Sequence, residues 1–516
     1  MSPGLFGESI EEFRVESACG DREMVVQEPA KRLKPIDRRQ CYWGAIDMEK
    51  LIAEDHPARG IWAMVNQLDL TPLEAKIKAI QGRAGQSSLD PRLLMALWIY
   101  GYSEGINSAR ELSRMCDYEP GCQWLTAMQS VNYHTLSDFR VDHKKELDRI
   151  FVQVLGLLSA EGLIEMKRIT QDGTKVRAHA ASHSFRRGKR IREHLQFARQ
   201  HVRVMGLPES EEFSQRTMQA RKRAALEKKQ RLEHAIQELE QLQQACAESK
   251  KEDIRVSETD PEARVMKQAN GGFAPSYNVQ LTTDAAKGII VGVEVTQAGN
   301  DCDQLVPAIE EVEAKTGKRP EQVLVDGGYT MKNANIEALD ERGIDLFGPI
   351  VQHNSEASLK QRGIQPEFYP DQFRYDATTD TFRCPADKEL KRTQTRHGDG
   401  RTEYHYRATI TDCQSCPFRD RCCPKNSPRI VVRKEDSPAV HAFRAKMETE
   451  EAKDLYRMRA QVAEFPHAWI KEKLGLRRFR LRGRINVRVE AVWACLTYNI
   501  QQWMRLAWRR NVSAVA

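Results

Sequence analysis

The stretch YNVQLTTDAAKGIIVGVEVT, residues 277–296, holds two β-rich runs, YNVQLTTD and IIVGVEVT, on either side of Ala285-Ala286-Lys287-Gly288. Branched and aromatic side chains suit a pleated backbone, and a short linker ending in glycine lets the chain reverse, so the stretch reads as a hairpin. Beyond it lie a helical pattern, DQLVPAIEEVEAKTG (303–317), the strand VLVD (323–326) running into Gly327-Gly328, and a helix from Lys332 to Arg342. Before it, KRITQDGTKV (167–176) reads as one more strand, set apart from the hairpin by a long segment that breaks the pattern. Strand, insertion, two strands, helix, strand, helix is the order of an α+β protein with a mixed sheet flanked by helices, not of a doubly wound parallel sheet.

The flanks fill out the plan. Asp90-Pro91 supplies an N-cap and a first-turn proline to RLLMALWIYGY, which is apolar on nearly every side and predicts a buried helix. Thr135 and Asp138 have the capping spacing for a later helix of the same domain, along which Leu136, Phe139, His143, Leu147, Ile150, Val154 and Leu158 recur at three and four. In the interruption, Leu232, Ala235, Leu239, Leu242 and Cys246 step like a short heptad seam, which fits a solvated helical hairpin as well as a dimer contact. From about 350 to 440 the chain turns polar and Cys-bearing, as a small β-module would.

The 516 residues suffice for three or four domains. No segment approaches the roughly 18 uninterrupted apolar residues of a membrane helix, and the start, MSPGLFGESIEEFRVES, has no apolar core of a secretory signal, so a cytoplasmic protein is expected. Twelve Cys are too few for a disulfide framework. The net charge of +7 hides its distribution. Arg177 to Arg203 carries basic residues against the single acid Glu193, and Lys471 to Arg510 carries Lys471, Arg477, Arg478, Arg482 and others against Glu472 and Glu490. Two such runs, each following a candidate catalytic acid, favour contact with phosphate.

Mg²⁺ is a hard ion that prefers carboxylate oxygens, so a phosphoryl-transfer site needs acids converging from separate elements. Asp172 in a strand beside Gly173, and Asp326 ending VLVD, have that character, because interior acids are costly unless paired or bound to metal. Glu464 in AEFPHAWIKEKLG is the candidate third acid, with Lys471 two helical turns on and Pro466 suggesting a helix start or kink; Glu472 and Glu490 compete with it. Cys384, Cys413, Cys416 and Cys422 have an incomplete Zn²⁺ spacing, with Cys423 competing, so zinc and a metal-free module both stand.

These segments form an ordered set: LLMALWIYGYSEGINSARELSR and TLSDFR, then TQDGTKVRAHA, SETDPEARVMK, YNVQLTTD, VLVDGGY, YRMRAQVAEFPHAWIKEKLGLRRFRLRG and EAVWACLTYNI. The set, spanning about residues 93 to 500, resembles the DDE transposases of bacterial insertion sequences that carry an N-terminal helical domain and an insertion between the second Asp and the Glu. The resemblance implies an RNase H-like core with Asp172, Asp326 and Glu464 as catalytic, Mg²⁺- or Mn²⁺-holding residues (two ions), and Tyr456, Arg459 and Lys471 on the phosphates of the cut end. Four residues separate Arg459 from Glu464, where one version of the family pattern has three. The implied division is an N-terminal arm or cap (1–88), a helical DNA-end-binding domain (89–160), the core (161–176, 265–346 and 445–505), a basic, coiled helical insertion (177–264) and a Cys-bearing β insertion (347–444). The implied partner is double-stranded DNA, bound by a homodimer. The implied reaction is hydrolysis that frees 3′-OH ends, followed by their transesterification to target DNA. The alternative is a sequence-specific DNA-binding protein without catalysis.

Overall fold

A computed structural model describes residues 45–77, 79, 87–205, 215–350, 355–424 and 428–509. By its internal contacts the chain divides after Asp47, and the larger unit, which holds every element named below, runs from Met48 onward. Its central sheet has five main strands: β1 (Arg168–Arg177), β2 (Phe273–Asp284), β3 (Ile290–Thr296), β4 (Gln322–Leu324) and β5 (Asp345–Phe347). Their spatial order is β3-β2-β1-β4-β5, with a short strand, Arg264–Lys267, beside the first residues of β2. β1 pairs antiparallel with β2 from Ile169↔Asp284 to Arg177↔Ser276, and parallel with β4 at Thr170↔Leu324. The hairpin forces β2 and β3 antiparallel, with Gly288 at φ +69 in its turn, while the crossover through helix Leu305–Thr316 brings β4 in parallel. This mixed α+β arrangement is compatible with an RNase H-like core.

Two largely buried helices support the sheet, the first of them the apolar helix expected from the sequence. The first, α1 (Pro91–Ser103), starts where the Asp90 side chain accepts the Arg92 N–H at 2.7 Å, and it buries every residue from Leu94 to Tyr102. Its Trp98 ring donates Nε1–H to the Leu136 carbonyl at 2.9 Å. The second, Arg484–Trp503, lies against β3, where Asn499 both donates to and accepts from the backbone of Ile290 at 2.8 and 2.9 Å. Trp493 stacks on Tyr102 at 6.4 Å between ring centres, joining the helical region to the half that holds the central sheet in one core. Burying each such aromatic contributes about 1.5–3 kcal/mol.

Several boundaries differ from the sequence reading. Residues 52–73, grouped there with the arm, bury Ile61, Met64, Leu70 and Leu73 in that same core. The helix expected to begin at Thr135 begins at Tyr133, capped by Asn132, whose side chain accepts the His134 N–H at 2.8 Å, and it stops at His143 before a second helix, Lys144–Ala160. The heptad seam packs within the chain. Helix α2 (Gly188–Val204) lays Ile191, Leu195 and Ala198 against Leu232, Ala235 and Leu239 of helix α3 (Gln215–Gln244), so these apolar positions are already covered. The polar segment forms a five-stranded antiparallel sheet from Arg374 to Asp436 over a small core of Phe368, Phe373, Phe382, Leu390, Tyr406 and Val431. Among the described residues no helix is long and apolar enough to cross a membrane.

Candidate active site

β4 ends at Leu324 while its neighbour β1 runs on to Arg177, so the second half of β1 has no β4 partner and its last residue is bridged instead to Arg478. Continuing the register Thr170↔Leu324 by two residues would set Asp326 level with Asp172, and the charge of Asp326 acts on Asp172. Asp326 caps the short helix Gly327–Thr330, accepting the Gly328 N–H at 2.9 Å. Asp172 accepts the Gly173 N–H at 2.9 Å and is largely buried. Burial pushes its carboxyl up to about 6; the Arg459 guanidinium opposes this, and the charges of Asp326 and Asp301 reinforce it.

One helix, α4 (Arg459–Glu472), faces Asp172. Arg459 lies 3.2 Å from Asp172 Oδ1, and His467 Nε2 lies 3.7 Å from Oδ2. Burial, with Lys471 and Arg459 nearby, pulls the His467 imidazole down to about 3, so it is neutral. Lys471 donates to Thr174 Oγ1, two residues past Asp172, and burial lowers its ammonium while Asp172 opposes that shift. Tyr456, half-buried, feels the charges of Arg459, Asp326 and Asp172, and burial raises its phenol. Tyr456, Arg459 and Lys471 therefore gather at the two aspartates.

Glu464 lies inside α4, not at its start, with Pro466 two residues on, and it is exposed without a hydrogen bond or ion pair among the described residues. At about 100° per residue it sits about 60° around the helix from His467 and about 20° from Lys471, and among the described residues no contact joins it to Asp172. Of the remaining basic candidates, Arg477 pairs with Glu472, and Arg478 donates to the Ala178 and Ala180 carbonyls at 3.2 and 3.3 Å. Arg482 is half-buried, and its guanidinium is lowered by burial and by Arg231 of α3.

Asp301, absent from the sequence reading, is the residue added by the structure. It accepts N–H groups from Asn278 at 2.7 Å and Gln280 at 2.6 Å on β2. A polar loop between a strand and a helix carries no periodic signal, so GNDCDQL gave no hint of it. Asp172, with the charges of Asp326 and Asp301 nearby, offers carboxylate oxygens of the kind a hard divalent cation takes.

Two other sites offer metal-ligand chemistry. Among the described residues, His234, Glu238 and Glu262 form the one group of three or more His, Cys, Asp or Glu whose ligand atoms all lie within 4.8 Å of one another. Glu238 is already paired with Arg264, and Glu262 accepts the Arg484 N–H at 2.9 Å, so the trio ties α3 to the core. In the β-module, Cys384 and Cys413 sulfurs accept the Lys388 and Arg429 N–H groups at 3.3 and 3.5 Å. The Cys422 thiol is lowered by a hydrogen bond with Cys423, and Cys416 lies near Cys413. All five are free of disulfides, and no three of their sulfurs are gathered within 4.8 Å.

Residues 383–504 match the family model described as Transposase DDE domain, and residues 46–142 match Transposase domain (DUF772). The two matches cover the segment that carries α4 and the helical region, and they support a DDE transposase of an insertion sequence. No curated protein and no solved structure matches the chain.

Proposed function

From a chain that carries a transposase DDE domain and a second transposase domain, we propose that the protein binds the terminal inverted repeats of its mobile element, hydrolyses DNA at their ends to free 3′-OH groups, and joins those ends to target DNA by transesterification. What supports this reading is the nearness of Asp172 and Asp326, felt as a charge on Asp172, beside Arg459 and Lys471 of a single helix. Asp172 and Asp326, with Glu464 brought in when DNA is bound, hold Mg²⁺ or Mn²⁺. Bound there, two such ions supply Lewis-acid stabilisation of the charge that develops on the scissile phosphate. Arg459, Lys471 and Tyr456 orient the phosphates of the cut end, and Arg477, Arg478 and Arg482 follow the duplex beyond it. Cutting two ends in concert calls for a homodimer on DNA.

Asp172→Asn and Asp326→Asn are expected to lower Mg²⁺-dependent cleavage of DNA carrying the element's ends by at least about a thousandfold, as removal of an electrostatic stabiliser does, with end binding retained. Cleavage at the wild-type rate by either variant overturns its assignment. The exposure of Glu464 also fits the second reading, a DNA-binding protein without catalysis, and wild-type protein that binds ends but does not cut them would establish it. For the β-module the proposal is a structural Zn²⁺ on Cys384, Cys413, Cys416 and Cys422 after side-chain rotation, since its small core would benefit from a staple. One zinc per chain by mass spectrometry of purified protein is expected; its absence leaves the thiols as packing.

A further inference from the structure

The five-stranded sheet of the β-module has two unlike faces. Its strands are β6 (Arg374–Asp376), β7 (Thr381–Arg383), β8 (Glu389–Gly398), β9 (Arg401–Ala408) and β10 (Ile430–Asp436), side by side in that order and antiparallel throughout. The register Phe382↔Leu390↔Ala408 sets three apolar side chains on one face, where they close the module's core. Alternation sends their neighbours to the other face. There Arg374 lies opposite Arg383, and Lys391 opposite Arg407. A bulge between Arg392 and Gln394 shifts the alternation by one residue, so Arg396, level with Glu403 and Lys434, joins that second face. All six cationic residues are exposed.

Like charges directly opposite one another destabilise a strand pair, so two such pairs on one face weaken the free module. Nearby acids offset little of this. Asp387 lies 3.6 Å from Arg383, Glu389 3.7 Å from Lys391 and Glu403 3.9 Å from Lys434, all long, solvent-exposed pairs. Arg374, Arg396 and Arg407 have no ion pair among the described residues. Protection of a sheet edge does not account for the charges either, because Arg383, Lys391 and Arg407 lie on inner strands. The module is also fixed beside the loop that carries Asp301. At the β8–β9 turn Asp399 accepts the Ala334 N–H at 3.0 Å, and one residue further along that helix Asn335 donates to the Cys302 carbonyl at 2.6 Å.

We propose that this open face is a second DNA-contacting surface, which takes the phosphate backbone of duplex DNA flanking the cut site. Charge complementarity selects the occupant: a duplex presents one negative charge per about 1.7 Å of its axis and offsets both like-charge pairs together, whereas a second copy of the same face would set cations against cations. The face holds no Phe, Tyr or Trp on which bases could stack, so the contact is to the backbone and independent of sequence. The inference rests on the reading that DNA is this protein's substrate.

The test uses the full chain and a labelled duplex of arbitrary sequence. Replacing Arg374, Arg383, Lys391 and Arg407 together by Gln is expected to weaken binding at least about tenfold at low salt and to make the slope of log affinity against log salt shallower by about 3 to 4, roughly one per lost phosphate contact. The melting temperature is expected to hold or rise as the like-charge pairs disappear. Acetylation of the unmutated protein needs no variant to fold: duplex is expected to protect Lys391 and Lys434. If wild type binds duplex with a steep salt response but the fourfold variant matches it, or if duplex leaves Lys391 and Lys434 open to acetylation, the inference fails and the DNA reading stands. Protection that grows with protein concentration in the absence of DNA would make the occupant a second copy and overturn the inference. If wild type does not bind duplex at all, the inference and the DNA reading fall together.

Discussion

Glu490 illustrates how one residue's charge depends on its surroundings. It lies in the apolar helix Arg484–Trp503, fully buried, and was a competitor for the third acid on sequence grounds. Its carboxylate accepts the Arg480 N–H at 2.9 Å and the Leu481 N–H, so it anchors the turn that comes after α4. Burial raises its pKa, with Arg140 and these N–H groups opposing. For a group raised on folding, the stabilising contribution is full below the unfolded value, about 4.3, and is lost as pH rises through the folded value. The stability of wild type relative to Glu490→Gln is therefore expected to be greatest near pH 4 and to fall toward neutral pH in urea melts. A difference that grows with pH would contradict the assignment. His467 and Glu464 teach the companion point: both are on α4, but only His467 has a contact with Asp172 among the described residues.

At the scale of elements, the helical hairpin α2–α3 resolves two readings that periodicity left level. A seam of Leu232, Ala235 and Leu239 has no sign that says whose surface it will meet. Here α2 meets it, at a close approach where Gly188 has no side chain to collide with Leu239 Cδ2. Leu239→Ala is expected to cost about 2–5 kcal/mol locally, seen as faster amide exchange across 188–204 and 215–244 with the central sheet still protected. Unchanged exchange in the hairpin would mean that the seam is not what holds it. The Tyr133–Asp142 helix makes a related point, since Asn132 outcompeted Thr135 as cap by accepting the His134 N–H directly.

Across the whole molecule, the two basic runs meet at one backbone bridge. Arg177 and Arg478, some three hundred residues apart in the chain, sit side by side, joined by backbone hydrogen bonds from Arg177 N–H to the Arg477 carbonyl at 3.3 Å and from Phe479 N–H to the Arg177 carbonyl at 2.9 Å. Arg231 of the insertion adds its charge near Arg482. If the basic residues on both sides of this bridge contact DNA as proposed, binding releases counterions. Six or more phosphate contacts should lower end affinity about a thousandfold between about 50 and 200 mM salt. A flat salt response in a titration of labelled ends would remove DNA from these residues.

The strand and helix types around Asp172 and Asp326, the burial of α1 and of Arg484–Trp503, and the two concentrations of positive charge were set by the sequence itself, because each depends on residues near one another in the chain. The nearness of Asp172 to Asp326, the arrival of Asp301 over Gly173, the contact of His467 with Asp172 and the bridge between Arg177 and Arg478 came only with the tertiary structure. They depend on strand order, on where β4 stops and on how closely backbones approach at glycines, and those distances arise only when segments far apart in sequence share one core.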